Sequence, residues 1–447
     1  MAAAGDRKYD IVCVGATGYT GRLTAEYITR YLPTDIKWAV AGRNHQKLLD
    51  LVRHLKSFEV DRPNPAVEVI NFEDDASLAE LAGKSRLSIA VAGPYAQCGS
   101  GVFKACAENG THYVDCNGET PWLRDMIAKY DSTAKQTGSI MLPSSGIAST
   151  PAALLTHLLV HYTLTAHSLP TSSVLLSVRA LRGQPSGGTV ATILDLMSRY
   201  GVVELTAASA TFALAPRKPS KRRTGAAPGA LNAAGFARVR GLWGAGEGGP
   251  ADEEAVLIKA KGEDHDKAVV ERAWGIYAEA AESQAPGGTG QFASYGENFA
   301  FAMRAHVPSV GSALVQFWGY VAFILALLLP PVRWAVGKYW FAPGEGLDEK
   351  GREGNLVEYV AMAHADRTGE MEDAGKEKTT RGRMRFNGDV YWLTGLFLAE
   401  AAMIVLRERD TDAHRIGGGV LTPAFLGERF AERLKKAGVE IEVEDVE

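Results

Sequence analysis

The chain has few cysteines, little net charge and no apolar segment at its N-terminus. Its 447 residues include four cysteines with no Cys-x-x-Cys pair: Cys13, Cys98, Cys106 and Cys116. We expect free thiols in a reducing compartment and no metal site. A net charge of −4 gives no reason to expect a nucleic-acid partner. The N-terminal sequence MAAAGDRKYD lacks the core of a signal peptide, so we expect a cytosolic start.

Charged residues are also absent from one long internal stretch. No Asp, Glu, Lys or Arg occurs between Val307 and Val332, and residues 313–329 are its most apolar part. This length lies at the short limit of the roughly 17–25 residues that cross a bilayer. Pro330 and Pro331 then interrupt a helix where a tight turn is needed.

Three placements of this apolar segment, taken as residues 313–332, are open: an anchor in a lipid surface, a buried or homodimer-interface helix, and a spanning helix. Cationic and aromatic residues follow it: Arg333, Trp334, Lys338, Tyr339 and Trp340. Such side chains favour the headgroup zone. A spanning helix would separate the C-terminal part from the remaining fold. We therefore predict that the segment lies on the cytoplasmic face of a membrane or lipid droplet without crossing it.

Apolar, β-rich runs alternate with helical patterns over the first 150 residues. The runs are YDIVCVG, KWAVAGR, VEVINF, LSIAVAG, THYVDC and SIMLPS. This alternation predicts an α/β fold whose N-terminal domain, residues 1–150, is a Rossmann-like, doubly wound parallel sheet. Residues 151–447 are predicted to form a second, α+β domain for substrate binding or dimerisation. Within it, the Gly-, Ala- and Pro-rich stretch near 216–250 is predicted to be a flexible insertion.

The stretch GATGYTG follows the first predicted strand and precedes a predicted helix. This is the context in which glycines form a dinucleotide-binding turn and the helix N-terminus meets a pyrophosphate. The GxxGxxG spacing is the variant seen in many NADPH-dependent reductases. The predicted cofactor-binding residues of this loop are Gly15, Thr17, Gly18, Tyr19, Thr20 and Gly21. A purely structural turn is the alternative.

The end of the second strand indicates which cofactor is bound. An NAD site usually has an acidic residue there for the ribose 2′-hydroxyl, whereas this chain has Arg43 followed by Asn44. A guanidinium suits a 2′-phosphate, so NADPH is predicted. Gly93 and Pro94 end the fourth strand at the same edge of the sheet. They are predicted to pass near the ribose and nicotinamide.

Further stretches extend the pattern: AVAGR, AGPYAQCG, CAENGTHYVDCNGE, LPSSGIASTPAAL and SGGTVATILDLM. Together with GATGYTG they resemble the saccharopine dehydrogenase-like oxidoreductases, which include trans-acting enoyl reductases. The apolar stretch followed by PGEGLDEKGRE is similar to the animal and fungal branch, some members of which associate with lipid droplets. The resemblance covers nearly the whole chain and implies an NADPH-dependent oxidoreductase. It does not imply a substrate, and the insertion after Pro216 does not fit the family pattern.

Side chains near the ends of the fourth and fifth strands are candidates for chemistry. Tyr95 is the candidate catalytic residue, because a phenol beside the nicotinamide could donate a proton; packing is the alternative. Cys98 is interpreted as an apolar helix residue. Asp115 and Glu119 could bind a polar substrate, cap a helix or be solvated. His112 is expected to satisfy a local hydrogen bond.

Three functions are open on this basis. The first is an NADPH-dependent reductase of an enoyl or carbonyl group in a small lipid- or polyketide-like molecule, which the apolar segment favours. The second is saccharopine-type C–N chemistry on an amino acid, which would require an arginine cluster; Arg179 and Arg182 are available. The third is a lipid-droplet or membrane protein that keeps the nucleotide-binding fold without turnover.

Overall fold

The computed structural model describes residues 7–58, 61–219, 228–242, 254–283, 292, 295–297, 299–327, 329–342, 344–366 and 378–446. The strands are β1 (Tyr9–Val14), β2 (Trp38–Gly42), β3 (Ala66–Val69), β4 (Ser85–Ala90), β5 (His112–Asp115), β6 (Ile140–Leu142), β7 (Thr171–Leu181), β8 (Phe236–Val239), β9 (Ala255–Lys259), β10 (Ala300–Val307), β11 (Val357–Ala365), β12 (Thr379–Phe386), β13 (Gly419–Val420) and β14 (Glu440–Asp445).

The α-helices are α1 (Tyr19–Tyr31), α2 (His45–Leu55), α3 (Asp75–Lys84), α4 (Tyr95–Asn109), α5 (Thr120–Thr137), α6 (Thr150–His167), α7 (Gly187–Arg199), α8 (Val202–Ala208), α9 (Glu263–Ser283), α10 (Val310–Leu327), α11 (Pro330–Tyr339), α12 (Glu349–Arg352), α13 (Val390–Arg407), α14 (Asp412–Ile416) and α15 (Gly427–Lys436). A short 3-10 helix covers Pro423–Leu426.

The first sheet is parallel and has the strand order β3-β2-β1-β4-β5-β6-β13. Its apolar strands are covered on both faces, by α1, α2 and α13 on one side and by α3, α4 and α5 on the other. The predicted Rossmann-like sheet is therefore confirmed. The strand order reverses between β1 and β4, so the loops after these strands meet at the crevice where such folds bind ligands.

The C-terminal part of the chain returns to this first sheet. Helix α13 packs against α1, and an ideal Cβ on Gly395 would stand 3.0 Å from the backbone nitrogen of Thr24. Strand β13 adds to the sheet beside β6. The division into residues 1–150 and 151–447 stays a prediction. Helix α13 and strand β13, which lie within the predicted second domain, pack on α1 and pair with β6 of the first sheet. The apolar side of α1 is covered by α13, which lies almost 360 residues later in the chain.

The second sheet is mixed, with the order β14-β12-β11-β7-β10-β9-β8. Only β7 and β10 pair in parallel among its described strands. Helices α6 and α9 bury one face of the sheet in the main core. Of the predicted insertion, residues 228–242 contain β8, which pairs with β9. Residues 220–227 and 243–250 lie outside the described residues.

The apolar segment forms α10 and continues into α11. Ala313 is buried near the start of α10, and Phe317 packs against Gly235 beside the second sheet. Most of the remaining helix is exposed, including Trp318 and Phe323, which are 64% and 51% exposed. A helix buried in the core of this chain, one of the three placements considered, does not fit this exposure.

Candidate functional site

The glycine loop lies between β1 and α1 at the carboxyl edge of the first sheet. The Gly15 backbone N–H donates to the Ala41 carbonyl oxygen at 2.8 Å, which ties the loop to β2. Gly18 is the N-cap residue of α1, and no side chain caps the helix. The backbone N–H groups of Tyr19, Thr20 and Gly21 in the first turn are therefore available to an anion, as a pyrophosphate site requires.

The three glycines are required for different reasons. Gly15 has a φ of +83°, and a Cβ there would stand 2.8 Å from the Ala92 backbone nitrogen. A Cβ on Gly21 would overlap the Gly15 carbonyl oxygen. Gly18 has a φ of −73°, and its Cβ would meet only that oxygen, at 3.3 Å. The fold thus needs Gly15 and Gly21, while Gly18 is best explained by the close approach of a ligand.

Two other loop residues, Tyr19 and Thr17, differ in what they can offer a cofactor. The Tyr19 hydroxyl donates to the Leu347 carbonyl oxygen at 2.7 Å, and its ring packs edge-on against Tyr391. Burial raises the pKa of Tyr19 to about 12. The Thr17 hydroxyl oxygen lies 3.9 Å from an ideal Cβ on Gly42 at the end of β2. Tyr19 can therefore offer a cofactor its backbone N–H, whereas Thr17 can also offer its side chain.

A cationic surface follows β2. Arg43 is exposed and stacks over the Phe72 ring at 5.9 Å, and none of the described residues forms an ion pair with it. Asn44 caps α2 by accepting a hydrogen bond from the Lys47 backbone N–H at 3.0 Å. Lys47 and Thr17 border a cleft of about 830 Å³ between α1, α2 and the segments 348–353 and 386–389. A guanidinium and an ammonium at one helix start fit the charge of a 2′-phosphate.

The loop after β4 lies beneath a helix of the second part of the chain. An ideal Cβ on Gly93 would stand 3.6 Å from the Thr192 hydroxyl oxygen of α7. The Gln97 side-chain amide donates to Asp195 at 2.7 Å, which joins α4 to α7. Gly93, which is exposed, and the cis-linked Pro94 therefore lie beside α7, which contributes groups to this end of the crevice.

Asp115 and Glu119 both serve the local backbone. Glu119 accepts hydrogen bonds from the Tyr95 and Ala96 backbone N–H groups at 2.7 and 2.9 Å, so it caps α4. Burial raises the pKa of Glu119, although these two bonds oppose the shift. Asp115 accepts from the Tyr113 hydroxyl and from the Asn117 and Ser144 backbones, and burial raises its pKa to about 7. These geometries favour the capping interpretation over substrate binding.

The Tyr95 phenol is directed into the fold. Its hydroxyl donates to the Ala90 carbonyl oxygen at 2.9 Å and lies 3.3 Å from the Cys116 sulfur. Burial raises its pKa well above the ordinary value, so it donates a proton reluctantly. These contacts favour packing, and a catalytic Tyr95 stays a prediction.

Cys98 and His112 have structural surroundings. Burial raises the pKa of the Cys98 thiol, which agrees with an unreactive helix residue. The His112 Nδ1 accepts from the Ile140 backbone N–H at 3.0 Å, and burial lowers its pKa to about 3. Neither side chain is therefore suited to acid–base or nucleophilic chemistry.

Residues 11–142 match the family described as the saccharopine dehydrogenase NADP binding domain. This part of the chain is thus similar to the NADP-binding domain of the saccharopine dehydrogenases, and the chain is similar to proteins named saccharopine dehydrogenase-like oxidoreductases. It therefore binds NADP(H), and the loop, helix terminus and cation described above fit that cofactor. The structure of saccharopine dehydrogenase (L-Glu forming) from Saccharomyces cerevisiae covers 98% of this chain and 100% of its own, with a TM-score of 0.53 and 12% identity, and shows the shared fold.

Two relatives differ in how much of the chain they match. A Mycobacterium tuberculosis protein named as a trans-acting enoyl reductase is 26% identical over 98% of this chain and 97% of its own length. A lipid droplet localized protein of Caenorhabditis elegans is 37% identical over 33% of this chain and 35% of its own. Similarity to the first relative thus extends over nearly the full length, while the reaction and the location named belong to those relatives.

The parts played by α7 and Lys47 were not apparent from the sequence. The stretch SGGTVATILDLM contributed to the resemblance but did not indicate that Thr192 and Asp195 would face the loop after β4, because that contact joins segments about 100 residues apart. Lys47 could have been identified from the sequence, because it is a second cation in the first helical turn after Arg43.

Proposed function

We propose that this protein is an NADPH-dependent reductase that acts on an enoyl or carbonyl group of a lipid- or polyketide-like substrate. The observation that carries the proposal is the exposed helix α10, which has no charged residue, on a chain that binds NADP(H). A helix of this kind is expected to bury its apolar side chains in lipid, where such substrates dissolve.

The residues that would hold the cofactor are those at the carboxyl edge of the first sheet. The α1 N–H groups and Gly18 would bind the pyrophosphate, Arg43 with Lys47 the 2′-phosphate, and Gly93 the nicotinamide end. Bound NADPH supplies a hydride. Helix α7 would border this end of the crevice, because Thr192 lies next to Gly93.

We also propose that α10 and α11 bind a lipid surface without crossing it. Among the described residues, two helices, α10 and α13, are long and apolar enough to span a bilayer, but α13 is mostly buried. Ala313 and Phe317 pack α10 onto the protein, which favours an interfacial position. The Lys338 ammonium lies 4.6 Å from the centre of the exposed Trp334 ring, an arrangement suited to headgroups.

An amino acid substrate is less well supported. A saccharopine-type substrate with several carboxylates would require arginines that are free to bind them. Arg179 instead lies 3.7 Å from Glu358, which also accepts from Arg383. Arg179 and Arg383 therefore already share a protein carboxylate.

NADPH oxidation tests the reaction class. The purified protein is mixed with NADPH and with a panel of medium-chain enoyl thioesters, ketones, imines and α-keto acids with amines. We expect oxidation with an enoyl thioester or a ketone. NADPH oxidation only with an imine, or with an α-keto acid and an amine, would support C–N chemistry instead. NADPH binding without NADPH oxidation by any panel member would support the non-catalytic alternative.

Flotation with phosphatidylcholine vesicles and with phospholipid-coated triacylglycerol droplets tests lipid binding. We expect the native chain to float and a Trp318→Asp, Phe323→Asp double variant to stay in the soluble fraction. Val203→Asp is the matched control, because Val203 is 82% exposed but lies on α8, which packs beside α5. Protease protection in sealed membranes tests whether the chain crosses. If the C-terminal tag is shielded from protease while the N-terminal tag is cut, the interfacial placement is contradicted.

A further inference from the structure

Helix α7 touches both the cofactor crevice and the exposed apolar helices. On the crevice side, Thr192 faces Gly93 and Asp195 accepts from Gln97. On the opposite side, the Leu194 Cδ1 atom lies 3.5 Å from an ideal Cβ on Gly337 of α11. One helix of 13 residues, about 20 Å long at 1.5 Å per residue, therefore joins the two regions.

The start of α7 is fixed firmly in place. Gly187 packs so closely on the Ala342 carbonyl oxygen that a Cβ would overlap it. The Trp340 indole N–H donates to the Pro185 carbonyl oxygen at 3.0 Å. The Tyr391 hydroxyl accepts from the Ser186 backbone N–H at 2.6 Å and contacts Thr189. The helix can thus serve as a rigid wall, since its orientation is set by contacts at its N-terminus.

Beyond its start, α7 leaves its apolar side chains only partly buried among the described residues. Gly187 is its one fully buried residue, although the helix also carries aliphatic and thioether side chains: Val190, Ile193, Leu194, Leu196 and Met197. Ile193 is 42% exposed. A helix with this many apolar residues normally buries a stripe of them against the fold. The uncovered surface is continuous with α11, which in turn adjoins α10.

We propose that the exposed apolar side of α7 binds the acyl chain of the substrate, which enters from the lipid surface beneath α10 and α11 and extends toward Gly93. This inference rests on the proposed function and adds the position of the chain to it. Continuity with the charge-free helix favours an acyl chain as the occupant. Thr192 would lie next to the reducible end, and Ile193 with Leu194 along the chain.

Binding of non-reducible ligands tests this site without turnover. Butanoyl, octanoyl and dodecanoyl thioesters of N-acetylcysteamine are titrated by calorimetry into the NADP⁺-saturated full-length protein. We expect affinity to rise with chain length, by up to about fourfold per methylene if each is fully buried. Ile193→Asp should remove this rise, and it should leave the fold intact because the side chain is exposed. Val203→Asp, on α8, should keep it.

Three outcomes separate this inference from others. Equal dodecanoyl affinity in native protein and Ile193→Asp would overturn it. A dimer that dissociates on Ile193→Asp, with no change in thioester affinity, would assign the surface to a second copy of the chain and also overturn it. The third outcome is a rise in thioester affinity with chain length that Ile193→Asp removes, in a protein that oxidises NADPH with no panel member. It would support the acyl site although the proposed reaction fails.

Discussion

Helices α10 and α13 have the same length, 18 residues, and similar mean hydropathy, 1.8 and 1.5. Their surroundings are opposite: 83% of α13 is buried inside the fold, compared with 12% of α10. Hydropathy alone would assign both to a membrane. The comparison shows that the partners available to an apolar helix, and not its composition, decide whether it forms a core or a surface.

The polar groups of α13 identify it as a core helix. Asp389 caps it by accepting from the backbone N–H groups of Tyr391 and Trp392. Glu400 accepts from the Tyr27 hydroxyl at 2.8 Å and from the Arg433 guanidinium at 2.6 Å. A buried carboxylate with two donors from neighbouring helices is specific to one packing arrangement. Helix α10 contains no acidic or basic residue that could define such an arrangement.

The largest effect is expected in the cofactor loop, at the start of the helix that α13 supports. Gly18→Val should abolish NADPH binding and leave the fold intact, because a Cβ at Gly18 meets only the Gly15 carbonyl oxygen, at 3.3 Å, whereas the side chain would displace the pyrophosphate. Fluorescence titration with NADPH and circular dichroism measure the two properties. Gly83→Val is the control, since no atom lies within 4 Å of a Cβ there. Native affinity in Gly18→Val would place the phosphate site elsewhere.

The next effect compares the two helices directly. Phe397→Ala on α13 should lower the free energy of unfolding by about 3–5 kcal/mol, because it opens a cavity around a fully buried ring. Phe323→Ala on α10 should change it by less than about 0.5 kcal/mol in the absence of lipid. Urea denaturation measures both. If Phe323→Ala destabilises the lipid-free protein as much as Phe397→Ala, α10 packs against something in solution and the comparison fails.

A smaller effect is expected at the 2′-phosphate. Arg43→Ala should weaken NADPH binding by about 1.5–3 kcal/mol, the loss of one charge-assisted contact, and NADH binding far less. Calorimetry with each cofactor checks this difference. Arg53→Ala is the matched control, since Arg53 is an exposed cation at the far end of α2. Equal native affinity for NADPH and NADH would contradict the assignment to Arg43.

The local parts of the fold were predictable, and the long-range ones were not. The run YDIVCVG predicted β1 because a covered parallel strand is continuously apolar. The GxxGxxG spacing predicted a loop whose Gly15 has a positive φ. By contrast, nothing in the local sequence of α13 indicated its contact with α1. Periodicity shows that a helix has apolar side chains without showing which surface covers them.

The same reasoning applies to candidate side chains. Glu119 was ambiguous in sequence, because a carboxylate after a strand can bind substrate or cap a neighbouring helix. The structure shows it capping α4, which begins 24 residues earlier. Tyr95 begins that helix, and the direction of its ring depends on the adjacent Cys116 backbone, which donates to the hydroxyl. Such orientations are set by tertiary contacts.

The smallest predicted effect concerns an ion pair beside the buried helix. Glu428 of α15, which packs on α13, pairs with His161 of α6, and this bond lowers the pKa of Glu428 to about 2 from 4.5. A depressed carboxyl pKa stabilises the fold above pH 4.5, and this contribution is lost as pH falls toward 2. The same pair raises the pKa of His161, whose contribution is present below its ordinary 6.5 and is lost as pH rises through the raised value.

Glu428→Gln should therefore reduce the decline in the urea midpoint between pH 5.5 and 3.5. Glu432→Gln, one turn along α15, should leave the decline unchanged. A decline in Glu428→Gln as steep as in the native protein would show that the pair contributes nothing to packing around α13.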